Sequence, residues 1–134
     1  MATGLLLLVG SCDIEMSDNG DLDGMWQLTA VDTLSTKGHR DMRETNTTWN
    51  IQGKLLQLRS TDLIFSCNFS REGESLKLGT IYVTDHHDEP HLEDLQQVGI
   101  MGVNRQEERF DITTLTSSSM TLQSSMLKLS FRKY

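Results

Sequence analysis

From Gly24 onward, apolar and polar residues alternate in short runs that turn residues separate. Such alternation is typical of antiparallel strands with one buried face. The clearest run places Leu63, Phe65, Cys67 and Phe69 on one face. The pattern predicts eight strands, at 25–32, 47–52, 55–59, 63–70, 75–84, 109–115, 120–123 and 126–134.

The first and fifth predicted strands carry particular expectations. In the first, Trp26, Leu28 and Ala30 share the inner face. In the fifth, the apolar residues change parity between its first half, at 76 and 78, and its second half, at 81 and 83. A β-bulge at Gly79 would return all of them to the core.

One segment between the fifth and sixth strands does not alternate. Leu92, Leu95 and Val98 recur there at helical spacing. Pro90 can begin a helix, because its missing N–H is not needed in the first turn. We therefore predict a short helix over 91–101 that packs on the sheet or across one end of it.

Eight consecutive strands joined mainly by short turns predict an all-β fold. Such strands bury their apolar faces and remove exposed edges when they close into an antiparallel up-and-down barrel. An open sandwich is the alternative. We expect one barrel domain over 23–134.

The N-terminal residues have a different character. The apolar run from Leu5 to Val9 is too short to span a bilayer and is typical of a secretory signal. Small residues then precede Cys12, which resembles the bacterial lipobox, whose cysteine is lipidated. We expect 1–12 to be a lipoprotein signal segment. No Lys or Arg precedes the run, so we also expect the natural start to lie upstream of Met1.

Residues 13–22 are polar and acidic, without apolar periodicity, and are predicted to form a flexible tether. Spaced acidic residues after the cysteine resemble the surface-export signal of some Gram-negative lipoproteins. The expected location is therefore the cell envelope, anchored by lipid at the outer membrane. The periplasmic face and the cell surface both remain open.

Charge excludes one class of partner. The chain has 12 Lys and Arg against 19 Asp and Glu, a formal net charge of −7. This excess of negative charge repels nucleic-acid phosphates, so we expect no nucleic-acid partner. We expect a monomer held at the membrane by its anchor.

Gly24-Met25-Trp26 resembles the Gly-x-Trp motif that opens the first strand of lipocalins. The resemblance implies that Trp26 plugs one end of the barrel and that Arg132, near the end of the last strand, covers it. The stretch from Asp23 to Tyr134 is similar to the lipocalin-like domains of small Gram-negative lipoproteins. A lipocalin-like, eight-stranded barrel with one short helix between strands 5 and 6 is thus the expected fold.

The ionisable residues indicate no catalytic centre. His86, His87 and His91 lie among acidic residues and could collect a first-row metal ion, but their spacing matches no known site. We predict no designed metal site and no cofactor. Cys67 alternates with large apolar residues and is expected to be a small buried hydrophobe, although a disulfide with Cys12 is an alternative. We do not expect an enzyme.

Two functional hypotheses remain. In the first, a small apolar ligand binds in the barrel mouth, with Trp49, Phe65, Phe69 and Phe110 as candidate contacts. In the second, these large side chains fill the barrel, which is then a solid scaffold. Its loops would contact another envelope protein or a glycan-uptake complex. A continuous apolar cavity would favour the first hypothesis.

Overall fold

A computed structural model describes residues 19–61, 63–83 and 96–134. The elements in these ranges are a 3-10 helix Gly20–Leu22, β1 Gly24–Thr33, β2 Gly38–Asp41, β3 Thr47–Gln52, β4 Leu55–Ser60, β5 Leu63–Glu72, β6 Ser75–Leu78, β7 Tyr82–Val83, α1 Gln96–Gly99, β8 Arg109–Leu115, β9 Ser119–Gln123 and β10 Leu127–Lys133. No helix within them is long and apolar enough to cross a membrane. The predicted signal segment lies outside the described residues, and the predicted helix over 91–101 is described only from Gln96 onward.

The strands close into one antiparallel barrel. Its ring follows the order β1, β3, β4, β5, β6, β8, β9 and β10, and β10 pairs again with β1. The closing register runs from Trp26 opposite Lys133 to Thr33 opposite Leu127. Closure pairs the edges that an open sandwich would expose. The predicted eight-stranded barrel is confirmed and the sandwich is excluded.

Two short strands lie beside this ring. β2 pairs with the second half of β1, from Ala30 opposite Asp41 to Thr33 opposite Gly38. All its residues are exposed, so no apolar alternation marks it in the sequence. β7 pairs with β5, with Phe65 opposite Val83 and Ser66 opposite Tyr82.

The predicted strand over 75–84 is interrupted at 79–81, and its described parts, β6 and β7, both pair with β5. Their registers differ by one residue, as Phe69 lies opposite Leu78 and Ser66 opposite Tyr82, which agrees with the bulge predicted at Gly79. Gly79 N donates to Asn68 O (2.7 Å) and Ile81 N donates to the side-chain oxygen of Gln106 (2.8 Å). The first bond extends the pairing with β5 by one residue, and the second interrupts it before β7 begins. Ile81 is nevertheless fully buried, as the pattern predicted.

The predicted inner face of β1 also needs a correction. The register shifts between Leu28 and Ala30, which reverses the parity of the residues that follow. Ala30 lies opposite Ser130 and is half-buried, whereas Val31 lies opposite Leu129 and packs against the core. Because Ala30 is itself apolar, it continues the alternation of Trp26 and Leu28 in the sequence and hides the change of parity at Val31.

The two ends of the barrel differ. At the closed end, the N-terminal segment meets the β3–β4 turn, where Asn19 Nδ2 donates to Gly53 O (2.7 Å). The C-terminus lies there too, since Tyr134 N donates to Met25 O (3.0 Å). At the opposite end, the mouth, Leu34 N donates to the carbonyl oxygen of residue 126 (2.9 Å).

The predicted boundary between tether and barrel lies too far along the chain. Leu22 is fully buried, and its carbonyl oxygen accepts a hydrogen bond from Trp26 Nε1 (2.8 Å). Asn19 is also buried. The end of the predicted tether over 13–22 is therefore part of the folded domain, which takes in at least Asn19.

Candidate functional site

Trp26 and its neighbours seal the closed end. The indole is fully buried beneath the 3-10 helix, to whose Leu22 carbonyl it donates. Lys133 Nζ lies 4.7 Å from the centroid of the indole ring and donates to Asp21 O (2.9 Å). The cation over the aromatic face and the hydrogen bond from the indole N–H together stabilise this end of the barrel.

The residue that covers Trp26 is therefore Lys133, and the predicted role of Arg132 is wrong. Directly paired residues on antiparallel strands share a face, and Trp26 pairs with Lys133. Arg132 pairs with Gln27, and its Nη2 donates weakly to Gln27 Oε1 (3.4 Å). Its side chain is exposed on the outer face.

Gly24 has a steric reason for its place before Trp26. Its φ is +143°, which residues with side chains rarely adopt. A Cβ there would lie 2.8 Å from Lys133 Cε. The glycine thus leaves room for the lysine stem that reaches the indole.

The candidate ligand contacts Trp49, Phe65, Phe69 and Phe110 all lie in the core. Trp49 meets Phe110 edge-to-face at a centroid distance of 5.6 Å, and Phe131 at 5.0 Å. Such pairs add about 0.5–1.5 kcal/mol each beyond their buried area. Their contacts in the described structure are packing contacts, and a ligand-binding role for them stays a prediction.

The chain itself enters the barrel above these rings. We call residues 98–103 the inner plug; its members Val98, Met101 and Val103 are fully buried. Trp49 Nε1 donates to Met101 O (3.0 Å). Gly102 has a φ of +103°, and a Cβ on it would lie 2.7 Å from Leu129 Cδ1. The plug is therefore packed tightly against the inner wall.

A cleft of about 300 Å³ opens at the mouth, with the plug at its floor. We call it the mouth cleft; its lining residues are Val31, Thr33, Gly38, His39, Arg40, Gly99, Asn104 and Leu127. Val31 pairs with Arg40, and Thr33 pairs with both Gly38 and Leu127, so these residues share the inner face of the barrel. None of the candidate aromatic contacts lines it.

Arg40 is the cation of this cleft. Asp32, on the outer face, hydrogen-bonds His39 Nδ1 (2.5 Å), and Asp41 holds Arg43 Nη2 (2.6 Å). The hydrogen bonds from Arg43 keep the pKa of Asp41 well below its usual range. Within the described ranges, no ion pair involves Arg40. Nothing in the sequence pattern singles this arginine out, because only the strand pairing turns it inward.

Three exposed apolar residues lie next to the mouth cleft. Leu34, Ile100 and Met126, which we call the apolar rim, are 38%, 46% and 54% exposed. Each is a sequence neighbour of a residue that lines the cleft. Exposed apolar side chains gathered at one place mark a binding surface.

Two other clefts lie among the described residues. One, of about 440 Å³, is at the closed end and is lined by polar residues that include Asn19, Arg71 and Glu74. The other, of about 340 Å³, lies where the chain leaves β6, beside Phe69 and Gly79. The first is larger than the mouth cleft, and its lining is more polar. The second lies beside exposed Leu55, which pairs with its lining residue Asn68.

The other candidate residues of the sequence analysis are three histidines and Cys67. His86, His87 and His91 lie outside them, and the described residues contain no group of three metal-ligating side chains. Cys67 is a buried free cysteine. Burial raises the pKa of its thiol to about 12, so it stays neutral and unreactive at physiological pH.

Solved structures share this fold. A lipocalin-like protein from Bacteroides uniformis superposes with a TM-score of 0.65 at 20% identity, covering 85% of this chain and 99% of that one. An uncharacterized protein from Bacteroides eggerthii gives a TM-score of 0.66 at 15% identity, with 84% and 98% covered. A Burkholderia xenovorans protein gives 0.57 at 13% identity, with 84% and 82% covered.

The sequence adds a more direct assignment. No functionally curated protein matches it. The family model described as lipocalin-like domain matches residues 6–134. A closed eight-stranded barrel of this type suggests small-ligand binding. The chain belongs to the lipocalin-like domain family.

Proposed function

We propose that this protein is a lipid-anchored envelope protein that binds a small, largely apolar molecule in the mouth cleft. The observation that carries the proposal is the apolar rim beside a concave site. Leu34, Ile100 and Met126 are exposed beside the inner-face residues Val31 and Leu127. Their exposure is costly in water, and a ligand that covers them removes that cost.

The ligand binds at the mouth and not deep in the lumen. The inner plug occupies the upper lumen, and Trp49 holds it through the bond to Met101 O. Below it, Phe110 and Phe131 pack against the indole. A volume of about 300 Å³ is at the lower bound for ligand pockets, so the ligand is small.

The anchor sets the direction in which the site faces. The chain enters the barrel at Asn19 on the closed end, and the seven residue steps from Cys12 span at most about 25 Å. A lipid on Cys12 therefore keeps the closed end near the outer membrane, at its periplasmic face or at the cell surface. The mouth then faces away from the bilayer, where it meets ligands from the aqueous side.

We propose binding and not catalysis. Cys67, a thiol in the barrel interior, is buried and neutral. His39 is hydrogen-bonded to Asp32 and points to the outer face, where its strand partner lies. The cleft thus offers surface for recognition without an activated nucleophile among its lining residues.

A neutral fluorescent probe tests the site. N-phenyl-1-naphthylamine should gain fluorescence on binding to the wild-type protein. The double variant Ile100→Gln/Met126→Gln should weaken that binding at least about fivefold, because two rim contacts are lost. The matched control is Met25→Gln/Leu55→Gln, whose side chains are 47% and 49% exposed on other surfaces. Equal losses in both variants, or none in either, would overturn the proposed site.

A second function is favoured by one specific observation, the filled lumen. With the inner plug and the aromatic core in place, the barrel is also a rigid scaffold whose apolar rim could contact another envelope protein or a glycan-uptake complex. Native mass spectrometry of the protein extracted from its own envelope separates the two functions. A bound small molecule supports the first, whereas a ligand-free protein in a stable protein complex supports the second.

A further inference from the structure

We infer that the ligand of the mouth cleft is an amphipathic carboxylate whose charged group pairs with Arg40. The inference rests on the proposed function, because it names the chemical class that the same site takes. It begins with the position of Arg40 opposite Val31, on the inner face of β2. A guanidinium beside apolar wall residues is a recognition element for an anion.

Among the described residues, the carboxylates of the neighbouring strands do not neutralise Arg40. Asp32 and Asp41 are the acidic residues of the two paired strands, β1 and β2. The first is engaged by His39 at 2.5 Å and the second by Arg43 at 2.6 Å. Both pairings leave the guanidinium of Arg40 available to a ligand.

Asn104 supplies a second donor to the same cleft. Its Nδ2 lies 4.0 Å from Met126 Sδ, which is a weak acceptor. A carboxylate oxygen is a stronger acceptor and would displace that contact. The amide and the guanidinium thus provide N–H donors to a cleft whose apolar wall residues are Val31 and Leu127.

The guanidinium and the apolar rim together indicate a ligand with a carboxylate at one end and an alkyl chain attached to it. The planar fork of an arginine matches the two oxygens of a carboxylate. The apolar rim lies beside the same opening and would contact an alkyl chain. The overall charge of −7 repels anions in general, so a preference for an anion must come from a local cation.

The test uses sodium decanoate below its micelle concentration, with 1-decanol and acetate as the neutral-chain and head-only probes. Binding to the full chain is followed by amide chemical shifts in ¹H–¹⁵N spectra, at Val31, Thr33, Gly99, Asn104 and Leu127. Decanoate should bind more tightly than either probe. Arg40→Gln should weaken decanoate at least about fivefold and leave 1-decanol within about twofold.

The matched control is Arg59→Gln, which removes an exposed arginine from the outer face of β4. It should leave decanoate binding unchanged, and Arg40→Lys should recover only part of the loss because it lacks the fork. Equal binding of decanoate and 1-decanol that Arg40→Gln does not alter would overturn the inference and leave the proposed site standing. Absence of any shift with either chain would overturn both.

Discussion

Lys133 lies across the face of Trp26, with its Nζ 4.7 Å from the ring centroid, and the two residues are directly opposite each other where the last strand closes on the first. The same ammonium donates to Asp21 O, in the segment that leads into the barrel. One side chain therefore joins the C-terminal strand, the first strand and the N-terminal segment. The closed end is secured by contacts between residues at the two ends of the domain.

Replacing Lys133 with Ala should lower the free energy of unfolding by about 1–2 kcal/mol, since the cation–π contact and the bond to Asp21 O are lost. Arg132→Ala is the control, because its side chain is exposed and makes only a weak bond to Gln27. It should cost less than about 0.5 kcal/mol. Urea denaturation measures both, and a larger loss for Arg132→Ala would contradict this assignment.

Gly24→Ala should destabilise the barrel by about 1–3 kcal/mol, because the φ of +143° is strained for alanine and its Cβ displaces the lysine stem. Part of that cost depends on Lys133. In a Lys133→Ala background, the same change should therefore cost about 0.5–1 kcal/mol less. Gly53→Ala, where a Cβ meets no atom within 4 Å, should show no such coupling. Strict additivity at Gly24 would refute the steric explanation.

Trp49→Phe should loosen the inner plug, because Met101 O loses its buried donor, at a cost of about 1–3 kcal/mol. Hydrogen exchange at the amides of Met101 and Val103 should quicken relative to that of the strands. Trp26→Phe, which removes a similar bond at the closed end, is the control and should leave those two amides unaffected. Unchanged exchange in Trp49→Phe would show that the plug does not depend on this bond.

Cys67 should make stability depend on alkaline pH. Its folded pKa of about 12 lies above the ordinary value of 9.0, because burial disfavours the thiolate. The stability that the neutral buried thiol contributes is complete below pH 9. It is lost as the pH rises towards 12, since the thiol of the unfolded chain ionises first. The comparison uses a Cys12→Ser background, which removes the other thiol. Between pH 8 and 10.5, the free energy of unfolding should fall by about 2 kcal/mol more when residue 67 is Cys than in the Cys67→Ala variant. Parallel pH profiles would mean that the thiol is not desolvated.

The orientation on the membrane can be measured with fluorophores at the two ends. A label on Met126→Cys marks the mouth, and a label on Tyr134→Cys marks the closed end. In vesicles that carry the lipidated protein and a quencher within the bilayer, the closed-end label should be quenched more strongly. β1, at about 3.3 Å a residue, separates the ends by up to about 30 Å. Stronger quenching at Met126→Cys would reverse the proposed orientation.

The sequence by itself determined the strands whose apolar faces are buried, since Phe65, Cys67 and Phe69 can alternate in that way only on a strand with one inner face. It also determined that Trp26 begins the barrel, because the motif is local. Tertiary structure alone decided what depends on pairing between distant residues. Register placed Lys133, and not Arg132, over the indole, the bulge after Leu28 turned Val31 inward, and β2 turned Arg40 towards the mouth. The physical reason is that each strand's pattern records which side is apolar, whereas register and closure come from hydrogen bonds between strands far apart in the chain.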